Sequence, residues 1–134
     1  MAQTAQQRTI GSVDNEAQRV FALQREAYGR HPFPSYAERV NNLRRVERVL
    51  VENKQAIADA ITADFGHRAF EESMMAELFT SIDGLRDACK RLEGWMAPQK
   101  RHTSVLFATG SNRVIPMPKG VVGIISPWNY PLFL

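Results

Sequence analysis

The chain has one cysteine, Cys89, among 134 residues. No internal disulfide can form, and the usage fits a reducing compartment. It lacks a long apolar run. The longest, at the C-terminal end, is interrupted by Ser126, Asn129 and prolines, far short of the roughly 20 residues a membrane helix needs. Met1 to Ile10 is polar and Gln-rich, without the apolar stretch of a secretory signal. No block of like charge exists either. Lys and Arg (17) alternate with Asp and Glu (14) for a net charge of +3, which is no nucleic-acid signature. His31, His67 and His102 are far apart, without metal-ligand spacing, and one cysteine makes no zinc site. Repeats and low-complexity segments are absent. These absences read as a cytoplasmic protein with no nucleic-acid partner, no membrane span and no metal.

What is present is an ordinary globular composition, 44% hydrophobic and 23% charged, enough for a real core. Residues 1–11 read as a flexible tail. Asp14 is positioned to cap a first helix running to about Tyr28, with Ala17, Val20, Phe21, Ala27 and Tyr28 on one face and Gly29 as its stop. His31-Pro32-Phe33-Pro34 is a stiff connector. Ser35-Tyr36-Ala37-Glu38 is a capping box opening a second helix. Its stripe is Val40, Leu43, Val46, Val49 and Leu50, and it continues through Ile57 and Ile61 to Gly66. The Arg-rich opposite face is interleaved with Glu and reads as a solvated, ion-paired surface. A third helix is predicted from about Phe70 to Met96. Met75, Leu78, Ile82, Leu85, Cys89, Leu92 and Met96 recur at three- and four-residue steps, which makes a packing seam. Gly84 and Gly94 are places where another backbone could approach closely. Cys89 on that seam reads as a buried, inert thiol rather than a nucleophile.

At Pro98 the composition changes. Thr103 to Thr109 and Arg113 to Met117 are predicted strands of a hairpin around Gly110-Ser111-Asn112. Val121 to Ser126 is a third predicted strand, apolar enough to be buried on both faces of a parallel sheet. Pro127 must end it. Between Pro127 and Pro131 the amide of Asn129 is held at the carboxyl end of a strand, where open α/β sheets place ligands. A side-chain amide there suits an oxyanion. By chemistry alone an ordinary turn remains the default, because Asn favours turns for conformational reasons.

The segment Pro118 to Pro131, Pro-Lys-Gly-Val-Val-Gly-Ile-Ile-Ser-Pro-Trp-Asn-Tyr-Pro, resembles the signature of the NAD(P)-dependent aldehyde dehydrogenase superfamily. Leu43-Arg44-Arg45, Asp64-Phe65-Gly66-His67-Arg68, Ala76-Glu77 and Trp95-Met96-Ala97-Pro98 occur in similar order. The last and the Asp-Phe-Gly-His-Arg form are most like the coniferyl aldehyde dehydrogenase branch. The resemblance implies an α/β fold. Residues 12–97 would be the helical part of a Rossmann-like cofactor-binding domain, 98–118 an oligomerisation hairpin, and 119–134 the first cofactor-domain strand with its oxyanion turn. It implies NAD or NADP as cofactor, a small-molecule aldehyde (coniferyl aldehyde, or a fatty or other aromatic one) as substrate, and a homo-oligomer. It implies Asn129 as the catalytic oxyanion donor, and Ile125, Ser126, Pro127 and Trp128 on the nicotinamide side of the cleft. The family's nucleophilic cysteine, general-base glutamate, glycine-rich loop and cofactor-binding lysine have no match in this sequence, and Cys89 matches none of them. The chain therefore reads as an N-terminal portion, inactive and aggregation-prone alone. The competing reading is a non-catalytic helical interaction module using the seam from Met75 to Met96.

Overall fold

A computed structural model describes residues 10–134. By contact density the chain divides into two compact units, one formed by the chain up to Phe33 with Met117–Gly123, the other by Pro34–Pro116 with Ile124–Leu134.

The first unit is built on helix α1, Ile10–Arg30. The expected tail falls mostly on residues 1–9, outside the described residues, while Ile10 and Gly11 already belong to the helix. Asp14 lies within α1 rather than capping it, since no proline before it forces the backbone out of helical geometry. The helix also passes Gly29 to end at Arg30. An extended segment lies against α1, where the Tyr28 hydroxyl donates to the Pro118 carbonyl at 3.1 Å. Beside that bond Gly120 has φ 96°, and a Cβ there would stand 3.5 Å from the Tyr28 ring. The position is left-handed, so it favours glycine.

In the second unit the capping box is formed at the start of α2, Tyr36–Glu52. The Ser35 hydroxyl oxygen accepts the Glu38 N–H at 3.3 Å, and the Glu38 carboxylate accepts the Ser35 N–H at 2.7 Å. Val40 and Leu50 are buried, but Val46 and Val49 stay exposed. The helix does not run on unbroken. Asn53 leaves helical geometry, and its side-chain amide at 2.8 Å and its backbone N–H at 3.0 Å both donate to the Val49 carbonyl. A separate helix α3, Lys54–Phe65, follows, burying Ala58 and Ile61. Gly66 ends it at φ 81°, its N–H donating to the Thr62 carbonyl, the left-handed cap that glycine adopts without strain.

Helicity from Phe70 to Met96 is continuous but not uniform. It comprises α4, Phe70–Glu72, a π-helical stretch, Ser73–Phe79, and α5, Thr80–Met96. A π turn carries more residues than an α turn, so it rotates the faces that follow. Leu78 of the expected seam is buried, but Met75 is left 65% exposed, and Ser73 and Glu77 are buried beside Leu78. Farther along, Ile82, Leu85, Cys89, Leu92 and Met96 are half-buried. α5 packs on α2, and Arg86 pairs with Glu47 across them at 2.6 Å. Among the described residues, nothing from outside the helix's own backbone lies within 4 Å of where a Cβ would stand on Gly84 or Gly94, so the expected close backbone approach is not made at either by these residues.

The hairpin exists in a different register. β1, Gln99–Arg101, pairs antiparallel with β2, Asn112–Val114, through Gln99↔Val114, Lys100↔Arg113 and Arg101↔Asn112. Most of the expected first strand is loop, with a 3-10 turn at Val105–Phe107. Val121 to Ser126 pairs with no strand among the described residues. Ile124 and Ile125 are exposed rather than buried on two faces. A central parallel strand needs a neighbour on each side, and no described residue supplies one.

Candidate functional site

Two prolines and a serine shape the turn after Ile125. Pro127 and Pro131 exclude helix around Trp128-Asn129-Tyr130, which form a bend. The Ser126 hydroxyl donates to the Pro131 carbonyl at 2.9 Å and closes it. The Leu134 N–H donates to the Tyr130 carbonyl at 3.0 Å on the far side. Ile125, Ser126, Pro127, Trp128 and Asn129 line one open groove of about 640 Å³. Ile125 is 98% and Trp128 93% exposed. The structure thus brings together all five residues singled out in the sequence.

The main chain of the turn is anchored from beneath. Arg68 and Glu77 are buried, 7% and 0% exposed, and Arg68 Nη1 donates to Glu77 Oε1 at 3.0 Å. The same nitrogen donates to the Asn129 carbonyl at 2.7 Å. Glu77 Oε2 accepts the N–H groups of Leu132 at 2.9 Å and Phe133 at 3.0 Å. The guanidinium carbon of Arg68 lies 4.7 Å from the Tyr130 ring centroid and 4.9 Å from that of Phe65. The Thr62 hydroxyl fixes the loop carrying Arg68 by donating to its carbonyl at 3.1 Å.

The side chain of Asn129 makes no hydrogen bond with the described residues, and the residue is exposed. Its carbonyl is committed and its amide is available. An uncommitted N–H₂ on a fixed backbone can donate to a developing negative charge. The groove beside it has apolar walls at Ile125, Pro127 and Trp128, a lining that fits the flat face of an aromatic heterocycle.

Arg68 and Glu77 were visible in the sequence only as marks of resemblance. An apolar periodicity passes over a buried charge, and α-helical spacing sets Glu77 on the wrong face. Cys89 is half-buried along α5. Among the described residues no three His, Cys, Asp or Glu side chains gather as metal ligands, and no helix is long and apolar enough to cross a membrane.

The family model described as "Aldehyde dehydrogenase family" matches residues 3–134. A probable coniferyl aldehyde dehydrogenase of Pseudomonas aeruginosa is 41% identical over 120 residues, 90% of this chain and 25% of the relative. A coniferyl aldehyde dehydrogenase of Pseudomonas sp. is 41% identical over 96 residues, 72% of this chain and 20% of the relative. Aldehyde dehydrogenase family 3 member I1, chloroplastic, of Arabidopsis thaliana is 33% identical over 100 residues, 75% of this chain and 18% of the relative. The chain thus spans a quarter or less of the length of these curated relatives. Its helices and small antiparallel sheet are consistent with the N-terminal part of that family's α/β fold. The chain belongs to the aldehyde dehydrogenase family.

Proposed function

We propose that this chain supplies the oxyanion-binding amide and one wall of the cofactor cleft to an enzyme that oxidises an aldehyde to the carboxylic acid. The observation that carries the reading is Asn129, with its carbonyl bound to buried Arg68 and its amide uncommitted. When a nucleophile adds to an aldehyde, the carbonyl oxygen gains negative charge. A pre-oriented amide N–H stabilises that oxygen more than the neutral carbonyl, which lowers the barrier. Ile125, Ser126, Pro127 and Trp128 would hold the nicotinamide end of NAD or NADP. Bound, the cofactor would supply the two-electron acceptor for the oxidation. The apolar groove walls at Ile125 and Pro127 would border the reacting carbon, and Trp128 offers a flat face for stacking.

Coniferyl aldehyde is the substrate to try first, because the names of two of the relatives carry it. The hairpin of β1 and β2 would serve as an oligomerisation arm of a homo-oligomer, and residues 119–134 would form the first strand of the cofactor domain once paired. The 134 residues alone would not turn over, since their one cysteine lies half-buried along a helix.

The protein made from its complete reading frame should raise absorbance at the reduced-nicotinamide band when given NAD or NADP with coniferyl aldehyde. Benzaldehyde and a long-chain aliphatic aldehyde, run in parallel, separate the substrate classes. No reduction with any aldehyde and either cofactor would end this reading.

A further inference from the structure

Asn129 is fixed by its main chain and left free at its side chain, and two buried charges divide it so. Arg68 grips the carbonyl of Asn129, while Glu77 grips the N–H groups of Leu132 and Phe133. The gripping residues lie 61 and 55 positions earlier in the chain than Asn129 and Leu132. One short bond, Arg68 Nη1 to Glu77 Oε1, joins the two grips. The Tyr130 ring against the guanidinium holds the residue between them.

A buried ion pair is a poor device for stability alone, because apolar side chains of similar volume often do as well or better. What apolar packing cannot do is orient a main chain. Three directed bonds, one to a C=O and two to N–H groups, fix both the position and the rotation of the turn. The π-helical stretch has a matching consequence, since it places Glu77 on the buried face. Oxyanion stabilisation depends on this kind of control, as donor and oxygen must meet within hydrogen-bond distance.

We propose that Arg68 and Glu77 are positioning residues that aim the Asn129 amide at the reacting oxygen. This rests on the reading of Asn129 as an oxyanion donor. Neither residue needs to touch substrate; they act through the turn.

Glu77→Gln in the complete protein tests it. The carboxamide keeps the shape but turns a donor toward either Arg68 or the two N–H groups, so either the bond joining the two grips or the grip on the N–H groups is lost, and what remains is no longer charge-assisted at Glu77. We expect kcat to fall by about 10- to 100-fold, the range for a misplaced catalytic group, with KM for the aldehyde little changed. In an Asn129→Ala background the same substitution should cost no more than about twofold, because the amide it positions is gone. An equal fold loss in both backgrounds would mean a role independent of Asn129 and would overturn the proposal, as would an unchanged kcat in the single variant. Glu77→Asp, one methylene shorter, keeps the charge beside Arg68 but draws the carboxylate back from the Leu132 and Phe133 N–H groups, and it runs the same cycle if Glu77→Gln does not fold. Amide hydrogen exchange at Leu132 and Phe133 is the independent readout. Glu77→Gln should speed it by about tenfold or more, the loss of charge-assisted bonds, and unchanged exchange would overturn the clamp itself. If Asn129→Ala alone has wild-type turnover, the oxyanion reading fails and the positioning role falls with it, while the exchange data still report whether the clamp exists.

Discussion

Replacing Arg68 with methionine removes the charge and keeps most of the length and apolar stem. Four attachments go at once: the bond to Glu77 at 3.0 Å, the bond to the Asn129 carbonyl at 2.7 Å, the ion pair with half-exposed Glu72 at 3.3 Å, and the stacking on Phe65 and Tyr130. Glu77 then remains fully buried with only the Leu132 and Phe133 N–H groups as partners. Breaking a buried pair from one side costs about 3–5 kcal/mol. Methionine recovers some packing, so the loss should lie near the lower end, about 3 kcal/mol. With a urea dependence of about 2 kcal/mol per molar, the unfolding midpoint should drop by about 1.5 M. Arg86→Met is the control. Its pair with Glu47 is as short, 2.6 Å, but the side chains are 58% and 22% exposed. Such a pair contributes about 0.2–1 kcal/mol, a midpoint shift below about 0.5 M. Urea unfolding followed by far-ultraviolet circular dichroism reads both. Equal midpoints for the two variants would refute the claim that burial makes the Arg68 pair structurally dominant.

Two smaller effects follow from backbone and charge. Gly66→Ala places a Cβ at φ 81° and should cost about 1–2 kcal/mol, read as a lowered thermal midpoint; an unchanged midpoint would deny the left-handed cap. The Arg19 guanidinium, bonded to both carboxylate oxygens of Glu16 at 2.6 and 2.7 Å, holds that carboxyl below its ordinary 4.5. Because the folded value is the lowered one, the pair supports α1 above the ordinary value and is lost as pH falls through the lowered one. The Glu16 carboxyl titration followed by NMR should return to the ordinary range in Arg19→Gln, and identical curves would contradict the pairing.

Local chemistry was legible in the sequence at several points where a residue acts on its own neighbours, though not at Asp14 and Gly29, which α1 runs through. Ser35 and Glu38 cap α2, Gly66 ends α3, and Pro127 and Pro131 bound the bend at Asn129, each through short-range constraints that spacing reveals. What escaped depended on distant partners or on a change of helical register. Asn53 separates α2 from α3 by leaving helical φ/ψ at φ −108° while both its N–H and its side-chain amide still donate to the Val49 carbonyl, and asparagine within a periodic segment does not announce such a kink. The π turn from Ser73 to Phe79 shifts the faces, so Met75, on the expected seam, is exposed and Glu77, outside that seam, is buried. The grip of Arg68 and Glu77 on residues 129–133 joins pieces more than fifty positions apart, which no local pattern encodes. Val121 to Ser126 has the composition of a buried strand, but strand formation depends on neighbours, and composition does not supply them. The five residues from Ile125 to Asn129 line one groove because they are contiguous.

The central claim is that the Asn129 amide stabilises the oxyanion, and turnover of Asn129→Ala in the complete enzyme measures it most directly. The account predicts a fall in kcat of about 10²–10³, the loss typical of one oxyanion-hole donor, with the fold and aldehyde binding retained. A variant that turns over at the wild-type rate would contradict it.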